Sequence, residues 1–173
     1  MPEEKRAVLV IAPNNFRDEE LFYTKEELEK AGVKTTIASL STEEANGMLG
    51  GKAKPQITLE EVKEEEFDAI VFIGGSGASI YFENKKAWEL AREFSSKGKV
   101  TAAICIAPSI LANAGLLKGK KVTVFSSEAF DLKQKGAIFT GVAVEVDGNI
   151  VTAEGPGSAR EFGKRIAEVL KAG

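Results

Sequence analysis

Apolar residues in this chain follow two alternating patterns: short unbroken runs, and longer stretches in which they recur at helical spacing. Residues 6–12 (RAVLVIA) form a nearly continuous apolar run, the signature of a strand buried on both faces. Residues 18–31 follow with Leu21, Thr24, Leu28 and Ala31 on one helical face, and Gly32 marks the stop. A β-branched run at 33–39 (VKTTIAS) reads as the next strand. The stretch 41–66 is irregular. It contains Gly47, Gly50, Gly51 and Pro55 and ends in an acidic segment, 60–66, read as a solvated face or turn.

Regularity resumes at 68–73 (DAIVFI), a strand ended by Gly74-Gly75-Ser76-Gly77. The spacing predicts a helix over 84–96 that buries Trp88, Leu90, Ala91 and Phe94. A strand over 99–105 (KVTAAIC) and a short helix over 108–114, closed by Gly115, come next. A strand is expected at 121–125 and a short helix at 128–135. Asp147-Gly148, between 142–146 and 149–153, has the composition of a tight hairpin. A final amphipathic helix, 158–172, offers Phe162, Ile166, Val169 and Leu170 to the core, and Ser158-Ala159-Arg160-Glu161 reads as a capping box at its start. Strands alternating with helices in this way imply a mainly parallel sheet covered on both faces. Ligands then bind where strands end and helices begin. With no linker, repeat or low-complexity tract in view, residues 1–173 are expected to form one domain.

Composition narrows the function more than the fold. The 173 residues are 43% apolar and carry a formal charge of -3, which allows a core without staples and gives no sign of a nucleic-acid partner. No apolar run approaches the roughly 18 residues needed to span a bilayer. The acidic start, Met1-Pro2-Glu3-Glu4-Lys5, does not read as a signal peptide, so a cytoplasmic protein is expected. A single cysteine, Cys105, excludes an internal disulfide. Histidine is absent altogether. That removes zinc sites of the His/Cys kind and every Ser-His or Cys-His dyad. An identical subunit could not lend the missing imidazole either. No metal or cofactor is expected.

Three features could carry chemistry. Cys105 ends an apolar strand just before Pro108, a residue suited to a first helical turn. A thiol there meets backbone N–H groups and a helix end, which favour thiolate, on the mechanics of a nucleophile elbow; the alternative is a small buried hydrophobe. Gly74-Gly75-Ser76-Gly77 could bring N–H groups close to an anion, or be an ordinary tight turn, and it lacks the dinucleotide-binding glycine pattern. Asp18, Glu19 and Glu20 open the first helix. They either complement its dipole or place one carboxyl against Cys105, where an ionised group raises the thiol pKa and a protonated one can donate to the thiolate.

Taken together, Ala102-Ala103-Ile104-Cys105-Ile106-Ala107-Pro108, the upstream Gly74-Gly75 and the downstream Glu154-Gly155-Pro156-Gly157 resemble the ThiJ/PfpI family. The resemblance runs almost end to end. It implies a flavodoxin-like three-layer α/β/α sandwich with a mainly parallel central sheet, and a homo-oligomer, dimer or larger. It also implies that Cys105 is the nucleophilic, oxidation-sensitive cysteine and Glu20 the acid that hydrogen-bonds it. Gly75 and Ile106 match the positions whose N–H groups form the oxyanion hole, and Gly74, Ala107 and Pro156 fall in the surrounding pocket. The chain departs from the family where histidine is concerned. Ile106 stands where the protease branch has histidine after the cysteine, and Phe125-Ser126 stand where the deglycase branch has one after the next strand.

Three functions are therefore expected in order. The first is glyoxalase- or deglycase-like action on small reactive carbonyls, through Cys105 thiolate with Glu20 as proton partner. The second is a redox-sensing stress protein whose Cys105 oxidises to sulfinate, since no second cysteine can resolve it. The third, a PfpI-type intracellular cysteine peptidase acting on peptides, is disfavoured by the missing histidine.

Overall fold

The computed structural model describes residues 4–173, so Met1, Pro2 and Glu3, on which the signal-peptide reading in part rests, lie outside the described residues. In the first half the chain forms β1 (Arg6–Val10), β2 (Asn14–Phe16), α1 (Asp18–Lys30), β3 (Lys34–Ser39), β4 (Ala45–Gly47), β5 (Lys52–Ala53), β6 (Ile57–Thr58) and β7 (Ala69–Phe72). In the second half it forms α2 (Lys85–Ser96), β8 (Val100–Ile104), α3 (Pro108–Asn113), β9 (Lys121–Val122) and α4 (Ala129–Gln134). The chain finishes with β10 (Ile138–Phe139), β11 (Val144–Asp147), β12 (Ile150–Ala153) and α5 (Ala159–Ala172).

Seven strands make the main sheet in the order β11-β12-β8-β7-β1-β3-β6, parallel except for the β11–β12 hairpin. Ala7 to Val10 of β1 are all buried, as an unbroken apolar run requires of a strand covered on both faces. Alternation then sorts the core into two layers. Val8 and Val10 pack with Leu90 and Phe94 of α2, Ile110 of α3 and Leu132 of α4. Leu9 and Val71 pack with Leu21 and Leu28 of α1 and with Phe162, Ile166 and Leu170 of α5. The result is the expected three-layer arrangement of helices on both faces of a mainly parallel sheet. The chain leaves β1 for β3 on one side and later runs from β7 to β8 on the other. Strand order thus reverses beside β1, which places a crevice at the carboxyl ends of β1, β7 and β8. Just beyond β1, the buried Ile11 carbonyl accepts from both Tyr81 Oη and Ser39 Oγ at 2.7 Å.

Several boundaries differ from the sequence reading. Only Lys121–Val122 of 121–125 are strand, because the chain then turns so that the Phe125 N–H donates to the Cys105 carbonyl at 2.8 Å. The irregular stretch 41–66 contains β4 and β5, which join β2 in a small sheet, β2-β4-β5, built from segments too short to show a period. The capping box at Ser158 does not form. Ser158 closes a 3-10 turn with φ -104° and ψ 5°, not the extended geometry a cap needs, and its side chain makes no capping hydrogen bond. Trp88 and Val169 are half-buried rather than core. The Asp147-Gly148 turn is present, with Gly148 at φ 61°.

Candidate functional site

β8 ends at Ile104 and the next residue, Cys105, has φ 65°, a backbone region costly for a side chain-bearing residue. Neighbours hold it there: its N–H donates to the Ala153 carbonyl at 2.9 Å, and its carbonyl accepts from Phe125. The sharp turn lifts the side chain out of the strand line toward the crevice, where it is 8% exposed. The Gly75 and Ile106 N–H groups face its sulfur. Gly75 can do so because it adopts φ 104° and ψ 161°, a region essentially confined to glycine. A Cβ on Gly75 would also lie 2.5 Å from the Asn15 carbonyl oxygen and 2.7 Å from the Phe16 carbonyl carbon. Gly75→Ala is expected to destabilise the protein by on the order of 3 kcal/mol, read as a lower urea midpoint. An unchanged midpoint would show that this turn is not the rigid wall described.

The three acids that open α1 are separated by its 100° steps into three different tasks. Asp18 accepts from the N–H groups of Leu49 (2.8 Å) and Gly51 (2.7 Å), and so secures the turn that carries Met48 to the crevice. Glu19 binds Arg17 through two hydrogen bonds, at 2.8 and 3.2 Å. Glu20 points inward, is 0% exposed, and neither of its carboxylate oxygens has a hydrogen-bond partner of good geometry. The polar groups nearest to partnering it are the Cys105 thiol and the Gly74 N–H. Gly74 sits between them: a Cβ there would overlap Glu20 Oε1 and come within 2.6 Å of Cys105 Cβ. Only a glycine lets the acid and the thiol meet.

Burial pushes the Glu20 carboxyl up to about 8, so it keeps its proton at neutral pH. Burial also pushes the Cys105 thiol up, against the direction expected from the helix end. A charge on Glu20 pushes it the same way, while the N–H groups of Gly75 and Ile106 pull it back. The Glu20 contribution exists only when that carboxyl is ionised, so the two groups titrate as a unit. Glu20 gives up its proton first, near 8, while the thiol holds its own to about 12, because the two N–H donors that face the sulfur offset only part of its burial.

Cys105 and Glu20 open into a cleft of about 450 Å³. Its apolar wall is Met48, Phe82, Ile106, Phe125 and Pro156, and its other charged groups are Arg17 and Glu128. Gly75 and Ile106, the expected oxyanion-hole positions, and Pro156, an expected pocket residue, line the cleft. Gly74 lies behind its wall. Ala107 does not reach the cleft; it is 0% exposed in the core layer of α2 and α3, because the turn that aims Ile106 outward aims its neighbour inward. Arg17, Met48, Phe82 and Glu128 were not foreseen. Arg17, adjacent to the acidic triplet, was the one with a visible signal.

A mainly parallel α/β sheet thus carries a cysteine on a strained strand-to-helix turn, against a buried acid. The DJ-1/PfpI family model matches residues 5–169, and the chain belongs to that family. An uncharacterized protein of Methanocaldococcus jannaschii is 46% identical over 96% of this chain and 82% of its own. Deglycase PfpI of Pyrococcus furiosus is 35% identical over 95% of this chain and 99% of its own. The glutathione-independent glyoxalase DJR-1.2 of Caenorhabditis elegans is 28% identical over 99% and 91%. Among solved structures, a ThiJ/PfpI domain protein of Brachyspira murdochii superposes with a TM-score of 0.96 at 34% identity, covering 99% of both chains. Among the described residues, no helix is long and apolar enough to cross a membrane.

Proposed function

We propose that this protein is an enzyme acting on small reactive carbonyls, with α-oxoaldehydes such as methylglyoxal as its substrate class. The observation that carries this reading is the buried, unpartnered Glu20 carboxyl held against Cys105 at the floor of the cleft. An acid kept neutral at pH 7 has a proton to give. As the Cys105 sulfur adds to the aldehyde carbon, the aldehyde oxygen gains charge and takes the Glu20 proton, and Glu20 takes the proton the thiol gives up, which leaves a neutral hemithioacetal and a reprotonated Glu20. The Gly75 and Ile106 N–H groups lie beside the sulfur, where they can share that developing charge. Relatives named as a deglycase and a glyoxalase support the same substrate class. A Cys–His peptidase has no support, since the chain contains no histidine.

Glu20 loses its proton near pH 8, so turnover of methylglyoxal to lactate, without added cofactor, is expected to fall as the pH passes about 8. The assay is lactate formation by the purified protein across a pH series. Absence of lactate at every pH overturns the proposal.

A further inference from the structure

The carbonyl reading needs a second acid–base group. Once the hemithioacetal has formed, a hydrogen must leave the sulfur-bearing carbon and a hydrogen must arrive at its neighbour, and in related chemistry an imidazole is a natural carrier. This chain has none. Among the described residues, three ionisable side chains line the cleft besides the thiol: Arg17, Glu20 and Glu128. Arg17 is a cation committed to Glu19, and Glu20 is occupied at the sulfur.

Glu128 is the remaining one, and the surrounding structure holds it in place. It ends the turn that the Phe125 N–H fastens to the Cys105 carbonyl at 2.8 Å. Its Oε1 accepts from Ser109 Oγ at 2.9 Å and its Oε2 from Ser127 Oγ at 3.2 Å. Ser109 is 1% exposed and belongs to α3, which begins three residues after Cys105. A buried hydroxyl on the helix next to the nucleophile thus spends its only proton on orienting a carboxylate in the same cleft.

We infer that Glu128 is the base that moves a proton between the two carbons of the Cys105-bound substrate, in place of the absent histidine. This rests on the carbonyl reading above. The Glu128 carboxylate takes the hydrogen of the sulfur-bearing carbon as a proton. The electron pair left behind forms the carbon–carbon double bond of an enediolate, Glu128 returns the proton to the neighbouring carbon, and the hydroxyl proton of the sulfur-bearing carbon passes to the neighbouring oxygen. That carbon is reduced to a carbinol while the sulfur-bearing carbon is oxidised to a thioester, so no external oxidant is needed. Water then cleaves the thioester, releasing a 2-hydroxy acid and restoring the thiol.

The test follows two products of methylglyoxal, the Cys105 adduct by intact mass and lactate by proton NMR, in wild type and Glu128→Gln. Gln keeps an oxygen for Ser109, so the turn stays intact. Adduct formation is expected within about threefold of wild type, while lactate formation falls by about 100-fold or more. Lactate at the wild-type rate overturns the inference. So does a parallel loss of adduct and lactate, which would make Glu128 a structural tie. A wild type that forms the adduct but no lactate, or neither, overturns the carbonyl reading itself and this inference with it.

Discussion

Replacing Glu20 with Gln is expected to make the protein more stable in alkaline solution and to leave it little changed in acid. Glu20 is 0% exposed, and burial raises its carboxyl from 4.5 to about 8. Between those values the folded state holds a proton that the unfolded chain has released, so stability falls as pH rises. Below pH 4.5 both states are protonated and the penalty is absent; above about 8 both have ionised and it is complete. At about 1.4 kcal/mol per unit, the full penalty is on the order of 5 kcal/mol. Gln has no such titration. Urea unfolding of both proteins at about pH 5 and about pH 9 isolates the effect, because any fixed cost of burying the amide cancels between the two pH values. The expected result is a gap that widens in favour of Glu20→Gln as pH rises. Parallel profiles would mean that Glu20 is ionised at neutral pH, and the proton donor of the proposed reaction would be lost. The penalty also explains why an acid at this position is informative. Burying it costs stability on any fold, and the local return is a proton held against a thiol.

The layers of the fold were legible in the sequence because each strand is an apolar run with a helix-period segment beside it. Apart from Arg6 at its start, β1 is buried throughout, as are β7 and β8, and α2 and α5 present one apolar face each. What could not be read was any element shorter than its own period. Two-residue β5, β6, β9 and β10 have no alternation to detect, and β2 was hidden in Asn14-Asn15-Phe16, where Asn15 takes φ 62°. Ser158 failed as a cap for a local reason: the Gly155-Pro156 turn before it fixes its backbone outside cap geometry.

The site divides in the same way. Cys105 and Gly75 are local features, a residue on a strand-to-helix turn and a glycine after a strand, so sequence order alone brings them to one sheet edge. Choosing Glu20 over Asp18 and Glu19 took the helix rotation, which the resemblance supplied and the geometry now accounts for. Met48 and Glu128 arrive from loops whose placement depends on long-range ties, Asp18 to the 49–51 turn and Phe125 to the Cys105 carbonyl. No spacing in the chain announces such ties. The pocket assignment of Ala107 failed for the opposite reason: adjacency to Cys105 is close in sequence, but one step along a helical turn reverses the direction of the side chain.

The largest loss of activity is expected from Cys105→Ser. Serine differs by one atom and keeps the backbone, so the strain at φ 65° and the bonds to Ala153 and Phe125 remain. Stability should stay within about 1 kcal/mol of wild type. The chemistry should not survive. A hydroxyl is a far poorer nucleophile than a thiol unless an adjacent base takes its proton, and the usual base is an imidazole. The group beside position 105 is Glu20, which below pH 8 already holds a proton. Two N–H donors are too few to stabilise an alkoxide at neutral pH. Lactate formation from methylglyoxal should therefore drop by at least about 10³-fold, with no adduct at residue 105 by intact mass. A Cys105→Ser protein that folds and still turns over methylglyoxal would place the reaction away from this cleft, and the buried Glu20 would then lack the role that makes its cost understandable.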